Sequence, residues 1–278
     1  VETYRTGPRY CPGDLPAAIS NDLYAGIAYT PGVGGGWFNF GEVDGAYLNV
    51  TVFWDRNGDS LFDNYIDVSI PNITVTLTGT TDSGSSIGPI ALNPGPYSSL
   101  VTFDRLSPGV YSVVETQPPG GYVDGPSVIG TFFGGIPGVN RIDSITIITP
   151  GYSGNNYAFT ERKPGLSGFA YLDANNNRVH DRAEGGYYPQ QTFALSSTGG
   201  GSLYSTTVAG SDSFFMFTAI PSGTYQLTAG QPASYLDNFD QPGTVDGLPS
   251  GTAGPLGTDI ITGILYTANA VAINYDFG

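Results

Sequence analysis

The chain is poor in the side chains that carry much of protein chemistry: it has one cysteine (Cys11), one histidine (His180) and one lysine (Lys163). A single thiol can form neither a disulfide within the chain nor a thiolate metal cluster. The histidine lies in a polar loop with no serine singled out as a triad partner, so we expect it to be exposed rather than catalytic. No apolar run approaches the roughly 18 residues that a membrane-spanning helix needs.

Positive charge is also scarce. Nine basic residues face 24 acidic ones, and the formal net charge is −15. Such a chain repels phosphate backbones, so we expect no nucleic-acid partner, and the lack of apolar runs predicts no membrane insertion. Most of the acids are aspartates, which favour turns and bind hard cations through oxygen. No signal peptide opens the sequence, from which we expect a processed, secreted protein.

The residues that are abundant favour strands and tight turns. The 41 glycines and 21 prolines mark frequent turns, and the 19 tyrosines and 15 phenylalanines accompany many Val, Ile and Thr residues. Apolar residues alternate in segments such as NITVTLTG, with Ile73, Val75 and Leu77 on one face. No helical stripe of useful length is present. The pattern predicts an all-β protein built from two-sheet sandwiches, each with a core face and a solvent face on every strand.

One kind of chain ending, a strand, a turn and a second strand closing on phenylalanine, recurs at a period of roughly 120 residues. The recurrences are residues 24–42, 143–161 and 262–278. The first has too few residues before it to form a domain, whereas the other two close whole modules. The predicted organisation is an N-terminal hairpin segment at 1–42, module one at 43–161, a linker at 162–165 and module two at 166–278.

A polar loop in module two, here called loop two (residues 173–184), has calcium-ligand spacing. Its candidate ligands occupy positions 1, 3, 5, 7, 9 and 12 of an EF-hand-style loop, where side chains alternate with one backbone carbonyl. They are Asp173, Asn175, Asn177, Val179 (through its carbonyl), Asp181 and Glu184. Arg178 holds position 6, where glycine is usual. A polar turn that binds no metal is the alternative.

The equivalent segment of module one, here called loop one (residues 55–67), carries a similar pattern. Its candidate calcium ligands are Asp55, Asn57, Asp59, Leu61 (through its carbonyl) and Asp63. Position 12 is Ile66, which offers no oxygen from its side chain, and Asp67 follows one residue late. Position 6 is Ser60, again not glycine. We expect a weaker or differently closed site in this loop, and a metal-free turn is an equal alternative.

Further aspartates follow Tyr235 in module two: Asp237, Asp240 and Asp246, with Asp259 beyond them. Module one offers Asp124 and Asp143 in comparable places. A solvated loop of turn-forming aspartates explains them as well as a metal site does. A pair such as Asp237 and Asp240 would also suit a glycosidase, but nothing else in the sequence supports a catalytic cleft.

The phrases GFAYLDANNNRVHDRAE, IPSGTYQLTAGQPASYLDNFDQPGTVDG and ITGILYTANAVAINYDFG cover nearly all of 166–278. They resemble the B-type repeat of serine-aspartate-repeat surface adhesins, in the collagen-adhesin B-like, prealbumin-like sandwich group. Module one is similar more weakly, through VTVFWDRNGDSLFD and LSPGVYSVVETQPPGGYVDG. The resemblance implies Greek-key (Ig-like) sandwiches, an extracellular place, structural Ca²⁺ with further aspartate ligands, and a spacer or stalk function without catalysis.

Three hypotheses of function follow. In the first, the chain is a filament subunit: the 1–42 segment adds a strand to a neighbouring copy, with Trp37, Phe38 and Phe40 at the joint. In the second, it is a stalk fragment that contacts adjoining repeats and presents surface ligand sites. The third, a carbohydrate-binding module or glycosidase, has the least support. Asn49 and Asn72 begin N-x-Thr patterns and are candidate glycosylation sites on strands.

Overall fold

A computed structural model describes residues 18–20, 23–24, 31, 44–181, 184, 191–198, 203–208, 212–233 and 235–278. All regular elements within these ranges are strands, which confirms the all-β prediction. The described residues contain no helix long and apolar enough to cross a membrane. Near the N-terminus, β1 (Ala18–Ser20) and β2 (Leu23–Tyr24) pair antiparallel. The proposed joint residues Trp37, Phe38 and Phe40 lie outside the described residues, as does Cys11.

Module one is a sandwich of two five-stranded sheets. One sheet has the order β10-β11-β8-β5-β6, and the other has β4-β3-β12-β9 with β7 also paired to β3. The strands are β3 (Ala46–Trp54), β4 (Val68–Ser69), β5 (Val75–Thr81), β6 (Ser86–Leu92), β7 (Leu100–Leu106), β8 (Gly109–Glu115), β9 (Val123–Val128), β10 (Phe133–Gly138), β11 (Arg141–Ile147) and β12 (Ser153–Arg162).

Module two repeats this plan. One sheet has the order β16-β13-β23-β19-β20, the facing sheet has β15-β14-β17-β22-β21, and β18 pairs with β24. The strands are β13 (Gly165–Phe169), β14 (Thr192–Ser197), β15 (Leu203–Val208), β16 (Phe214–Phe217), β17 (Gly223–Ala229), β18 (Asp240–Gln241), β19 (Thr244–Val245), β20 (Leu248–Pro249), β21 (Thr252–Ala253), β22 (Ile260–Tyr266), β23 (Val271–Ile273) and β24 (Asp276–Phe277).

Alternation along the strands builds a separate core in each module. In β3 the inward side chains of Leu48, Val50 and Val52 are buried, and their neighbours lie on the outer face. In module two, Phe193, Leu195 and Leu227 occupy the matching core. Each such side chain stabilises its module by roughly 1.5–3 kcal/mol through burial. Two independent cores are expected for two domains joined in tandem.

In each module the first strand pairs parallel with a strand of the closing segment. Strand β12 pairs parallel with β3 through most of its length, and β23 pairs parallel with β13. The recurrent chain ending therefore becomes the final strands of a complete sandwich in both modules. A strand donated by a neighbouring copy would consequently add to an exposed sheet edge rather than fill the place of a missing last strand.

The two modules meet in a small apolar cluster, here called the junction cluster. It consists of Ile66, Phe169, Phe214, Trp54 and Met216. The Trp54 and Phe214 rings meet edge to face at 5.3 Å. Because β12 continues to Arg162 and β13 begins at Gly165, only residues 163 and 164 lie between the modules. So short a connection, packed on both sides, limits the movement of one module against the other.

Candidate metal centres

Hydrogen bonds to the acidic side chains of loop two hold the described part of its backbone. The two carboxylate oxygens of Asp173 accept the backbone N–H groups of Asn177 and Arg178, at 2.9 and 2.8 Å. At the other end of the loop, Glu184 accepts the N–H groups of Ala174 (2.9 Å) and Asp181 (3.1 Å). The first and last acidic residues of the loop therefore fix its backbone from both ends.

The remaining side chains of loop two converge on one carboxylate. Both Asn175 and Asn177 donate their side-chain amides to Asp181 Oδ2, each at 2.7 Å. The predicted side-chain ligands are therefore brought together, and Val179 is half-exposed within the loop. Arg178 has φ +69°, so the position usually held by glycine keeps its left-handed conformation with a larger residue. The arrangement can supply several oxygens to a hard cation.

The prediction that His180 is exposed is wrong. Its side chain is 9% exposed, and its Nδ1 lies 3.9 Å from Asp276 Oδ2. The imidazole stacks on Tyr171 and contacts Phe169, with ring centroids 5.0 Å apart in both pairs. The histidine faces inward because loop two folds back over the outer face of β13, a path that the polar sequence of the loop does not reveal.

Loop one closes differently, and Asp67 is the residue that closes it. Its Oδ1 accepts the N–H of Arg56 at 3.1 Å, and its Oδ2 accepts that of Asp63 at 2.9 Å. These are the two loop positions that Glu184 contacts in loop two. Ile66, which occupies position 12 by sequence count, is buried in the junction cluster instead. Because Asp67 comes one residue after position 12, the apolar side chain of Ile66 packs in the junction cluster and the carboxylate of Asp67 stays in the loop.

The acids of loop one are already engaged by donors of the protein. Asp55 accepts the N–H groups of Gly58 (2.7 Å) and Ser60 (3.2 Å), and the Arg162 guanidinium lies 3.5 Å from its Oδ2. Burial raises the pKa of Asp55, and the charge of Arg162 opposes that rise. Asn57, Asp59 and Asp63 each accept a backbone N–H two residues ahead, and Leu61 is exposed. This geometry suits a self-satisfied turn as well as a cation site.

A third acidic group, here called the aspartate triad, consists of Asp237, Asp240 and Asp259. One carboxylate oxygen from each lies within 4.8 Å of the others, and no other such group of acids occurs in the described part of the chain. Two of the three side chains, those of Asp240 and Asp259, are buried. Asp246, grouped with them by sequence, accepts the N–H of Val271 in a hairpin turn and does not join them.

The triad has no counter-charge among the described residues, since no salt bridge involves its members. Burial, followed by the charges of its two neighbours, raises the pKa of Asp240 to about 7. Burial and Asp237 raise the pKa of Asp259 to about 6. One buried oxygen of Asp237 and one of Asp240 have no hydrogen-bond partner in the described part of the chain. Three mutually close carboxylates in this state require a proton or a bound cation.

Module one does not repeat this triad. Asp143 instead pairs with Arg141, which lowers its pKa, and Asp124 belongs to no acidic group of the kind found in module two. Module one has another feature that sequence reasoning missed, the buried carboxyl pair Glu115 and Glu161. Burial is the main cause of their raised pKa values, and the charge of Glu161 raises the pKa of Glu115 further. Strand parity could have indicated Glu115, because Tyr111 and Val113 of β8 face the same core.

The two candidate glycosylation sites differ in setting. Asn49 lies on the outer face of β3, where its amide donates to Asn155 and its carbonyl oxygen accepts from Thr102. Asn72 is exposed in a bend with φ +63°, ahead of β5 rather than within a strand. The expectation that both stand on strands is therefore wrong for Asn72, because the strand begins only at Val75.

No family model matches the chain, and no curated protein matches it in sequence. Similar solved structures include the Bacillus anthracis TIE protein, with 13% identity and a TM-score of 0.27; the match covers 83% of this chain and 33% of that one. The minor pilin GBS52 of Streptococcus agalactiae is 10% identical with a TM-score of 0.26, over 84% of this chain and 95% of that one. The major pilin of Streptococcus pyogenes is 15% identical with a TM-score of 0.25, over 84% of this chain and 96% of that one.

Two of these solved neighbours are thus pilins. The chain spans about a third of the Bacillus anthracis protein. Scores and identities this low carry no inference about function, so the fold assignment rests on the strands, sheets and cores described above.

Proposed function

We propose that the chain is a non-enzymatic, extracellular structural protein. It would be a subunit of a surface filament, made of two tandem β-sandwiches and stiffened by bound calcium. The observation that carries the calcium part is the aspartate triad, two of whose side chains are buried. Among the described residues the triad has no counter-charge, and two of its carboxylate oxygens have no partner. The B-type repeat resemblance of module two belongs to the same proposal.

Calcium suits the triad because three carboxylates form a hard-oxygen set, and Ca²⁺ takes six to eight oxygens at flexible geometry. No imidazole or thiolate accompanies them in the group, so a softer transition metal has less reason to prefer it. Loop two would hold a second ion. Its ligands would be the carboxylates of Asp173, Asp181 and Glu184, the carboxamides of Asn175 and Asn177, and the carbonyl of Val179. A bound cation offsets the repulsion that otherwise loosens this end of module two.

Loop one is the weaker member of the proposal. Its candidate ligands would bind calcium only by giving up some of their present hydrogen bonds to backbone N–H groups. These ligands are the carboxylates of Asp55, Asp59 and Asp63 and the oxygens of Asn57 and Leu61. The Arg162 guanidinium beside Asp55 already supplies positive charge there. We therefore expect loop one to bind calcium more weakly than loop two.

Stiffness also needs a fixed joint between modules, and loop one provides part of it. Arg56 forms an ion pair with Asp212 of module two, and its guanidinium lies 4.1 Å from the Phe214 ring centroid. Asn274 of module two donates to the carbonyl of Asn57 at 2.8 Å. Direct contacts of this kind support a rod of two modules rather than two domains on a free tether.

Assembly would use the 1–42 segment of one copy and an exposed sheet edge of the next, with Trp37, Phe38 and Phe40 as the apolar joint. Head-to-tail addition does not close on itself, so it propagates as a filament. The alternative is a stalk piece of an adhesin, in which the segment pairs with an adjoining repeat. Asn49 and the exposed Asn72 would carry any N-linked sugar.

Calcium binding is tested by calorimetric titration of the metal-free chain. The triad variant Asp240→Asn should lose one binding event, whereas Asp246→Asn, the matched control in a hairpin turn, should keep all of them. Equal calcium stoichiometry in the wild type and Asp240→Asn would remove the triad from the proposal.

Assembly is tested separately by negative-stain electron microscopy in millimolar calcium. Filaments from the full chain but not from a version lacking residues 1–42 are expected. Separate short rods from both versions would favour the stalk alternative and contradict self-assembly.

A further inference from the structure

A cavity of about 290 Å³ lies at one end of module two, between loop two and the aspartate triad. Its lining includes Asp173 of loop two and Asp237 and Asp259 of the triad. The cavity is therefore bordered by both candidate calcium sites of the module. Its size is close to that of a small-molecule site, which ordinarily combines apolar walls with a few fixed polar groups.

Two buried polar groups in its lining have no hydrogen-bond partner among the described residues. The Tyr171 hydroxyl belongs to a side chain that is 2% exposed, and Gln191 Oε1 belongs to one that is 6% exposed. Gln191 donates its Nε2 to the carbonyl of Gly230 at 2.9 Å, so its orientation is fixed. A buried polar group without a partner costs about 1–3 kcal/mol, which a ligand with hydroxyl groups would offset.

Apolar surface accompanies these polar groups at the mouth of the cavity. Leu172 and Leu236 both line it and are 51% and 94% exposed, and the ring of Tyr235 stands beside them. The lining thus offers apolar faces for a ring and a donor and an acceptor for its substituents. This combination suits a ligand that is apolar on its faces and hydroxylated at its edge.

We propose that this cavity binds a sugar, through the Tyr171 hydroxyl, Gln191 Oε1 and calcium at the aspartate triad. The inference rests on the proposed function for its metal. Three carboxylates leave part of a six- to eight-oxygen shell to neutral ligands, and neighbouring hydroxyls of a sugar are neutral oxygen donors. With calcium in both sites, the negative charge of the lining is offset, so a neutral ligand fits better than an amine.

Module one supports this assignment by contrast. Trp54 precedes Asp55 of loop one, as Leu172 precedes Asp173 of loop two. The Trp54 ring holds the Lys163 ammonium at 4.6 Å, and Tyr122 holds it from the other side at 4.4 Å. The linker thus fills the corresponding place in module one. The sugar site is consequently assigned to module two alone.

The test is saturation-transfer NMR on the full chain with methyl α-D-mannopyranoside, D-galactose and N-acetyl-D-glucosamine as probes, in calcium and in excess chelator. At least one sugar should receive saturation in calcium and lose it in chelator. Tyr171→Phe, which removes a hydroxyl that has no partner, should weaken that binding about fivefold or more. Tyr266→Phe, whose hydroxyl contacts the Ala270 carbonyl at 3.0 Å elsewhere in the module, should leave it unchanged.

The outcomes separate the two proposals. Calcium binding by calorimetry without transfer to any of the three sugars overturns the sugar site and leaves the calcium proposal standing. Equal sugar binding by the wild type and Tyr171→Phe also overturns it. Binding of N-acetyl-lysine amide, a probe that carries an amine, in place of the sugars would overturn it as well. Absence of calcium binding overturns both.

Discussion

Asn238 Nδ2 donates a hydrogen bond of 2.6 Å to Asp173 Oδ2. Asp173 is the first acid of loop two, and Asn238 follows Asp237 of the aspartate triad in the chain. This bond joins two candidate calcium sites that are 65 residues apart in sequence. Since one side chain contacts the ligand set of one site and adjoins that of the other, the two sites should not bind independently.

Replacing Asn238 with leucine should weaken calcium binding at both sites, because the near-isosteric side chain cannot hold Asp173 in place. A charged hydrogen bond contributes about 1.5–3 kcal/mol, so the summed loss should be roughly tenfold or more in affinity. Calorimetric titration measures it. Asn93→Leu, which removes an amide donor in module one, is the control and should bind calcium normally. Loss confined to loop two would contradict the coupling.

Without metal, the triad should make the protein less stable as pH rises. The folded-state pKa values of Asp240 (about 7) and Asp259 (about 6) exceed their common unfolded value of 3.8. Their protonated folded forms are therefore favoured at low pH, and that stability is lost as pH rises from about 4 to 7. Calorimetric melting of calcium-free protein should give a melting temperature lower at pH 8 than at pH 5, by roughly 5 °C or more.

The variant Asp240→Asn identifies the source of this pH dependence, because an amide cannot ionise. Its calcium-free melting temperature should fall less between pH 5 and pH 8 than that of the wild type. An identical fall in the two proteins would assign the effect to other groups.

The buried pair Glu115 and Glu161 predicts a stabilising substitution in module one. Gln117 donates to Glu161 Oε2 at 2.9 Å, but no described residue donates a hydrogen bond to either oxygen of Glu115. Burial and the neighbouring carboxylate raise the pKa of Glu115, so its ionised form is costly. Glu115→Gln should raise the free energy of unfolding by about 1–3 kcal/mol at pH 9 and by little at pH 5. Urea unfolding at both pH values checks this; an equal effect at both would contradict it.

Removal of an aromatic ring at the junction should loosen the two modules. Trp54→Ala deletes the contact with Phe214 and the platform under Arg56. We expect a loss of roughly 2 kcal/mol in contacts between the modules and a broader distance distribution in small-angle X-ray scattering. Tyr65→Ala, at a ring that is 69% exposed on loop one, is the control. Unchanged scattering from Trp54→Ala would mean that the junction cluster does not hold the modules together.

Much of the fold could be predicted from the sequence because alternation survives along the strands. Ile73, Val75 and Leu77, which alternation places on one face, are all buried in the core of module one. The candidate ligands of loop two lie close together because hydrogen bonds between near neighbours in the chain join them. In these places the structure depends on interactions between residues that are close in sequence, so the sequence pattern is enough to predict it.

The sites that depend on distant contacts were harder to predict. The sequence groups four aspartates, but only the fold separates Asp246 from the triad. A count of positions assigns Ile66 to the end of loop one, whereas packing against Phe169 and Phe214 takes that residue into the junction. Tyr171 and Gln191 give no local signal, since their burial depends on strands that meet only in the sandwich.

The most direct test of the account is the melting of the full chain by calorimetry at neutral pH, in millimolar calcium and in excess chelator. Calcium that binds the folded state alone stabilises it by mass action, about 4 kcal/mol at a thousandfold excess over the dissociation constant. We expect calcium to raise the melting temperature of module two by roughly 10 °C or more, and Asp240→Asn to reduce the rise. Identical melting in calcium and in chelator would contradict it.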